Sequence, residues 1–378
     1  MAKIELKNKI LNDEYTEYVY NNFDIQNREE TITEINFDLK EGKNFNWNIG
    51  VIIGSSGSGK TSILKKIGEI KTPKFHPEKS LISNFYWLSP QEATIALTSM
   101  GLSSVPTWLR PFHSLSNGEQ YRAVLAYLVS SAEENEVLLI DEYTSVVDRD
   151  VAKAMSFALQ KYIRRENKKI ILASCHYDIL EWLMPDWISS PQKGGTLERC
   201  DYLRQGRPKI SLQISRTEPK VWELFKSHHY LTQEVNKSCK FILFEWNDKP
   251  VGIVAISTLP SGTVKNAYRL SRTVVLPDYQ GLGIGSMISE FCAAILKAQD
   301  SKCFTKTVNP ALGIHRDNSN NWKKTSKHGK VLRGQKRENG AHIWDSKIRP
   351  SYCHEYIGEA IFGYEELLLP IEELRSTK

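Results

Sequence analysis

The sequence predicts an α/β chain of two domains, a parallel-sheet domain followed by an α+β domain, and three observations carry the prediction. A buried strand, Asn48 to Ile53, passes through a glycine-rich turn into an apolar-periodic helix. A second apolar strand, Val137 to Ile140, ends on the acidic pair Asp141-Glu142. Further on, the runs Lys240 to Glu245 and Val251 to Ile256 flank the polar turn Asn247-Asp248-Lys249, a hairpin signal, and another strand, glycine turn and helix follow.

With 378 residues the chain is long enough for about two domains, each burying its own core. The longest apolar runs, such as Ile170 to Ala173, fall far short of the roughly 20 residues that cross a bilayer. The amino terminus lacks a signal-peptide apolar region. These features predict a soluble cytoplasmic protein with no membrane partner. The six cysteines are scattered without a CxxC pair, which predicts buried reduced thiols rather than a zinc site. Pro185, Pro191 and Gly194-Gly195 break regularity after the helix-like run Ile179 to Met184. The boundary is placed near 205–212, giving domains 1–207 and 208–378.

The first glycine-rich turn comprises Gly54, Ser55, Ser56, Gly57, Ser58, Gly59, Lys60, Thr61 and Ser62. Its glycines let backbone amides turn toward phosphate oxygens, Lys60 supplies positive charge, and the Thr61 hydroxyl is a magnesium ligand. At the end of the second strand, Asp141 is suited to hold magnesium through water and Glu142 to orient and deprotonate an attacking water.

Around these lie Gln91, Leu115-Ser116-Asn117-Gly118-Glu119-Gln120, Ser145-Val-Val-Asp148 and His176. Together they resemble the ABC ATPase family, with Walker A at 54–61, Gln91 in the Q-loop, the signature at 115–120, Walker B at 137–142, Asp148 in the D-loop and His176 as switch histidine. The resemblance implies ATP and Mg2+, with Thr61, Gln91 and Asp141 around the metal, and Ser116, Gly118, Glu119 and Asp148 among the ATP-site residues. It also implies a homodimer in which Ser116 and Gly118 of one subunit complete the γ-phosphate site opposite Lys60 of the other. Only 23 residues separate Gln91 from Leu115, fewer than the helical subdomain of transporter ATPases occupies, so coupling to a membrane transporter is not expected. Tyr15, Tyr18, Tyr20 and Phe23 include candidates to stack on adenine, and core or surface packing explains them equally well.

In the second half, the strand Ser271 to Leu276 runs into Pro277-Asp278-Tyr279-Gln280-Gly281-Leu282-Gly283-Ile284-Gly285-Ser286 and an apolar-periodic helix. A dinucleotide site also uses such a turn, but its fingerprint opens a βαβ unit, whereas this one follows an antiparallel hairpin. Val274 to Ser286 resembles motif A of the GNAT acyltransferases. The resemblance implies acetyl-CoA or another acyl-CoA as donor, with Val275 beside the thioester and Gln280, Gly281, Leu282, Gly283, Ile284, Gly285 and Ser286 around the pyrophosphate. The family's usual asparagine then tyrosine acid is only half matched: Asn309 is present, whereas no tyrosine is evident at the position nearest Trp322-Lys323.

His228-His229-Tyr230 before the hairpin and Tyr352 to Gly358 near the end resemble the Mom family of phage DNA-modification enzymes, a divergent GNAT branch. That resemblance implies His229 and Tyr230 as acceptor-site residues and adenine N6 as acceptor. A base amine is a poor nucleophile that must lose a proton as the new bond forms, and a histidine is suited to take it. Glu245 is the alternative base, and packing or solvation accounts for either residue as well.

Net charge is a modest +6, yet between Trp322 and Pro350 nine basic residues stand against two acidic ones. Lys323, Lys324, Lys327, Lys330, Arg333, Lys336 and Arg337, with Trp322, His328, His342 and Trp344 interspersed, suit phosphate contacts and base stacking, though a solvated loop has the same composition. The leading expectation is an ATP-dependent GNAT-type acyltransferase modifying a nucleic-acid base, DNA ahead of RNA, with the ATPase dimer as clamp or gate. The alternatives are acyl transfer to an aminoacyl-tRNA, a protein or a small amine in a toxin-like role, and a nucleic-acid-binding ATPase whose second domain only binds a ligand.

Overall fold

Strands β1 (Ala2–Lys9) and β2 (Glu30–Phe37) pair antiparallel from Ala2 against Phe37 to Lys9 against Glu30. The strand entering the phosphate loop, β3 (Ile49–Ile53), is buried throughout, as its Ile-Gly-Val-Ile-Ile composition requires of a strand covered on both faces. It lies between β5 (Lys169–Ser174) and β6 (Trp187–Ser189), parallel to both, and β4 (Val137–Ile140) adds to β5. The antiparallel edge strand β7 (Leu197–Arg199) completes a five-stranded sheet of order β4-β5-β3-β6-β7. Ile52, Ile63, Leu64, Leu139, Ile171 and Trp187 form its core with Ile35 and Phe37 of β2. Each such side chain contributes about 1.5–3 kcal/mol by leaving water.

The computed structural model describes residues 2–23, 25, 29–38, 45–200, 210–229, 234–261, 264–329 and 351–369. Within it the chain divides into two compact units, Met1–Pro73 with Leu128–Pro208, and Lys74–Tyr127 with Lys209–Lys378. The segment carrying Gln91 and the Ser116 turn therefore packs with the carboxyl-terminal half. The helix Asn117–Ser131 belongs to this second unit as far as Tyr127.

The second unit is built on a seven-stranded sheet. Its strands are β8 (Gln213–Thr217), β9 (Lys240–Trp246), β10 (Lys249–Thr258), β11 (Ala267–Val275), β12 (Lys302–Thr307), β13 (Trp322–Lys324) and β14 (Tyr352–Tyr356), in the order β13-β14-β12-β11-β10-β9-β8. The predicted hairpin is β9–β10, with Asn247 and Asp248 at positive φ in its turn, the conformation a two-residue hairpin loop demands. The strand expected from Ser271 begins earlier, at Ala267, because Tyr268, Arg269 and Leu270 pair with β10 as well. All neighbours in this sheet are antiparallel except β11 and β12.

Among the described residues no helix is long and apolar enough to cross a membrane. The six cysteines are free; Cys239, Cys292, Cys303 and Cys353 are buried, while Cys175 is exposed and Cys200 half-buried. Burial pushes the Cys303 thiol up to about 12, so it stays protonated and unreactive at neutral pH.

Candidate functional site

The first unit gathers its candidate residues on one sheet edge. Ile53 pairs with Ser174 and Ile140 with Leu172 in a parallel ladder, so the turns after β3, β4 and β5 all leave from the carboxyl ends of neighbouring strands, where open α/β sheets bind ligands. These turns carry Gly54 to Gly59, Asp141-Glu142 and His176. Gly57 and Gly59 have φ of +77° and +91°, and Gly59 directly precedes the helix Lys60–Ile67. That helix opens with unpaired amides beside an exposed loop, an anion cradle. The Lys60 ammonium donates to the carbonyls of Gly54 and Ser55 at 2.8 and 2.7 Å. Gln192 donates to the Ser55 hydroxyl at 2.8 Å, a contact 137 residues distant in sequence that no local pattern announces.

Glu142 is exposed with φ +48°, followed by Thr144 at +69°, left-handed conformations rare for such residues and characteristic of functional turns. The Glu142 amide donates to the Asp141 carboxylate at 2.9 Å, and the Ser145 hydroxyl donates to the Glu142 carbonyl at 2.8 Å. His176 Nδ1 lies 3.5 Å from the Thr144 hydroxyl. Burial and then the Arg149 charge push the His176 pKa down against the opposing pull of Asp178, so the ring is neutral at pH 7. Arg149 holds Asp178 through two nitrogens, and with Thr144 it frames the histidine. Asp148 caps the helix Arg149–Arg165, accepting from Asp150 and Val151 amides at 2.9 and 3.0 Å. Tyr15 and Tyr18 are exposed on the helix Glu14–Asn22 and Phe23 is exposed at its carboxyl cap, while Tyr20 is half-buried, so for the three exposed rings surface rather than core packing is the alternative to stacking.

In the second unit Gln91 is exposed in the first turn of the helix Pro90–Ser99, whose start is fixed by a reciprocal Ser89–Glu92 cap. The turn at Ser116 has the same device. Its amide and hydroxyl donate to the Glu119 carboxylate at 3.0 and 3.1 Å, and the Glu119 amide donates back to the hydroxyl at 3.3 Å. Glu119 is buried and also accepts from the Thr107 hydroxyl at 3.1 Å. Glu119 thus holds the turn, leaving Ser116 exposed and Gly118 half-exposed at the start of the helix.

The geometry of the wide sheet is more telling. Among the described residues β11 and β12 pair only from Ala267–Lys302 to Leu270–Thr305; beyond Leu270 the two parallel strands part, and Arg272 to Val275 pair with β10 alone. The register of β10 against β11 also shifts between Ala255 and Ile256, leaving Ser271 as an extra residue, a bulge that bends the strand. Past the open end the chain turns through Gln280, Gly281 (φ +88°) and Gly283 (φ +79°) into the helix Ile284–Ala298. Gln280 donates from its side chain to the Val275 carbonyl at 2.8 Å, tying the loop to the strand end. Val275, Gly281, Gly285 and Ser286 are half-buried around this turn, Gly283 is exposed, and Leu282 and Ile284 are buried, so the last two anchor the loop from beneath.

Residues 177–316 match the acetyltransferase (GNAT) family model. An ATP-binding cassette solved as a dimer with ADP and Pi aligns at 17% identity over 46% of this chain and 92% of its own, TM-score 0.34. The ribosomal-protein-S18-alanine N-acetyltransferase of Escherichia coli aligns at 14% identity over 41% of this chain and 97% of its own, TM-score 0.29. A GNAT acetyltransferase from Brucella melitensis in complex with acetyl-CoA aligns at 20% over 26% and 76%, TM-score 0.22. No curated protein sequence matches the chain. The amino-terminal region resembles an ABC ATPase cassette, and the carboxyl-terminal region has the GNAT fold.

On the GNAT side, His229 is buried edge-on against Trp222, ring centroids 5.8 Å apart. Burial, then the Arg272 charge, pushes its pKa down to about 4. Glu245 is half-buried one residue beyond Phe244, which pairs with Gly252, itself paired with Val275. It therefore lies at the same end of the sheet as the open strand. Tyr230 lies outside the described residues. Tyr356 packs on Trp322 and donates its hydroxyl to the Glu359 carbonyl at 3.0 Å, and Asn309 caps the helix Pro310–Asp317, so packing and capping account for both.

Lys323 and Lys324 are exposed on the edge strand β13 and Lys327 is exposed just after it. Lys330, Arg333, Lys336, Arg337, His342 and Trp344 lie outside the described residues. Trp322, expected as a stacking ring, is buried, with its indole N–H donating to Glu290 at 3.2 Å. Asp317, missed in the sequence, collects His354 at 2.8 Å, Lys324 at 3.2 Å and His328 at 3.5 Å. The three side chains Asp317, His328 and His354 lie close enough to share an ion. However, His328 Nδ1 accepts from the Cys353 amide at 3.3 Å, so a neutral ring carries its proton on Nε2, the atom facing Asp317. His354 meets Asp317 through Nε2, while its buried Nδ1 has no hydrogen-bond partner among the described residues, so the His-Asp-His group is ion-paired but not fully satisfied.

Proposed function

We propose that the chain is an ATP-gated, acyl-CoA-dependent N-acyltransferase, a homodimer through its ATPase regions, that modifies a nucleic-acid base, DNA ahead of RNA. The observation that supports it most is the parting of β11 from β12 beyond Leu270 and Thr305. It leaves the side of Arg272 to Val275 that faces away from β10 without a strand partner among the described residues, the Val275 carbonyl there being taken by Gln280, next to a glycine loop opening a helix. Backbone groups so exposed are suited to hold an extended acyl-pantetheine chain as an added strand, and the loop amides to hold its pyrophosphate. The acyl-CoA supplies an activated thioester carbonyl.

In this reading the chain's own groups orient the acceptor amine and remove its proton as the N–C bond forms and the C–S bond breaks, CoA leaving as the thiol. His229, neutral well below pH 7, and Glu245 are the candidate bases. Lys323, Lys324 and Lys327 hold phosphates. In the ATPase part, Lys60, Thr61 and Asp141 hold ATP and Mg2+, Glu142 activates water, and Ser116 and Gly118 reach the γ-phosphate in the partner subunit. Transfer to a protein, a small amine or an aminoacyl-tRNA is the second reading, favoured by the burial of Trp322, which removes one stacking ring.

The test supplies the full-length protein with ATP, Mg2+ and radiolabelled acetyl-CoA, and separately with duplex DNA, RNA, a lysine peptide and spermidine. Label recovered in a nucleoside, and lost in Glu142→Gln and His229→Ala, is the expected result. Label only in peptide or polyamine moves the conclusion to the second reading, and no label anywhere overturns both.

A further inference from the structure

The Ser116 turn and the acyl-donor loop are joined by contacts that neither activity requires by itself. Arg122 sits on the helix Asn117–Ser131, six residues past Ser116, roughly 9 Å along the axis. Its side chain is fully buried and its guanidinium lies 3.3 Å from the carboxylate of Asp278, in the loop that follows β11. The Ser103 amide donates to the Gln280 side-chain carbonyl at 2.6 Å, and the same Gln280 amide group reaches back to Val275 at 2.8 Å. Gly101, at φ +79°, approaches the loop so closely that a Cβ there would lie 2.9 Å from the Gln280 carbonyl oxygen. The turn Val105–Trp108 lies against Lys226–His228, and His228 feels the charges of both Glu119 and Asp278. A buried cation, a short amide bond and a backbone approach that admits only glycine therefore fasten the Ser116 helix to the donor loop.

We infer that Arg122 and the Ser103 amide are positioning groups for the acyl-donor loop, through which ATP engaged at Ser116 sets the loop's geometry and hence its affinity for acyl-CoA. The inference rests on the proposed reading that Ser116 meets the nucleotide of the partner subunit. A displacement of the helix start is passed to Arg122, because fewer than two turns of continuous hydrogen-bonded helix separate them. Asp278 and Gln280 follow, and Gln280 carries the shift to Val275. Linkage makes the effect mutual: acetyl-CoA must tighten ATP by the factor by which ATP tightens acetyl-CoA.

The experiment uses full-length Glu142→Gln protein, to hold ATP unhydrolysed, and measures acetyl-CoA binding by calorimetry with and without ATP and Mg2+. A shift of about tenfold is expected, in the range usual for coupled sites. Adding Asp278→Asn should bring the ratio below about twofold; a variant that merely loosened the fold would weaken acetyl-CoA binding with and without ATP alike and leave the ratio near tenfold. Hydrogen exchange over residues 276–286 gives a readout without that variant, and ATP should slow it. If both ligands bind yet neither shifts the other, and exchange is unaltered, the relay is overturned while the proposed function stands; if acetyl-CoA or ATP fails to bind at all, the proposed function falls first.

Discussion

His229→Gln should make the protein less sensitive to acid, because the wild-type ring is held neutral by its surroundings. The ring is 8% exposed and its pKa is down to about 4 from an ordinary 6.5. As pH falls, the unfolded chain takes up this proton first. The contribution is therefore complete above about pH 6.5, erodes as pH falls toward 4, and changes no further below that. Between pH 7 and about pH 4.5 the difference amounts to about 2.5 kcal/mol, from 1.36 kcal/mol per unit over the part of the shift traversed. Carboxylates titrate over the same range, so the quantity to measure is the difference between wild type and variant by urea unfolding at both pH values. Glutamine keeps a polar group of similar size without titrating there, so the wild type should lose about 2.5 kcal/mol more than the variant over that interval. Equal losses would mean that the ring is not buried neutral beside Arg272, and would remove the reason for treating it as an unprotonated base at neutral pH.

Glu142→Gln should lower ATP hydrolysis by roughly 10²–10⁴ while leaving ATP bound, read by phosphate release and by nucleotide binding; unchanged release would move the base elsewhere. Gly59→Ala places a Cβ 2.2 Å from Ile35 Cδ1 at φ +91°. Backbone strain and overpacking together should cost about 3 kcal/mol and abolish ATP binding, checked by thermal unfolding and calorimetry. Lys323→Ala with Lys327→Ala should weaken any nucleic-acid binding and flatten the log affinity against log salt line by roughly 1.8. An unchanged slope would show that these two lysines do not touch phosphate.

Residues 54–62 and 280–286 were legible because a strand, a glycine turn and a helix start are contiguous in sequence and leave a periodic trace on both sides. The parting of β11 and β12 was not, since it depends on where a parallel partner stops pairing, a long-range matter that neither strand records alone. Trp322 shows the opposite failure. A tryptophan among lysines reads as a surface platform, yet its ring is covered by Arg316, whose guanidinium lies 4.8 Å from the ring centroid, and its N–H is taken by Glu290. Asp148 and Asn309 were read from motif positions, whereas what the structure displays first is their capping of the helices that follow. Arg122 and Asp278, 156 residues apart, had no shared local signal at all.

Because the chain leaves its first compact unit at Pro73, returns at Leu128 and leaves again after Pro208, no single cut yields both units whole. A protein ending near residue 207 keeps the Ser116 helix but strands it, exposing Arg122 and the apolar side of 74–127 that Lys209–Lys378 would cover. Separation into halves therefore demands excision of 74–127 together with its partner sheet, and a ribosome releasing the first 207 residues has not yet supplied what that segment needs to fold.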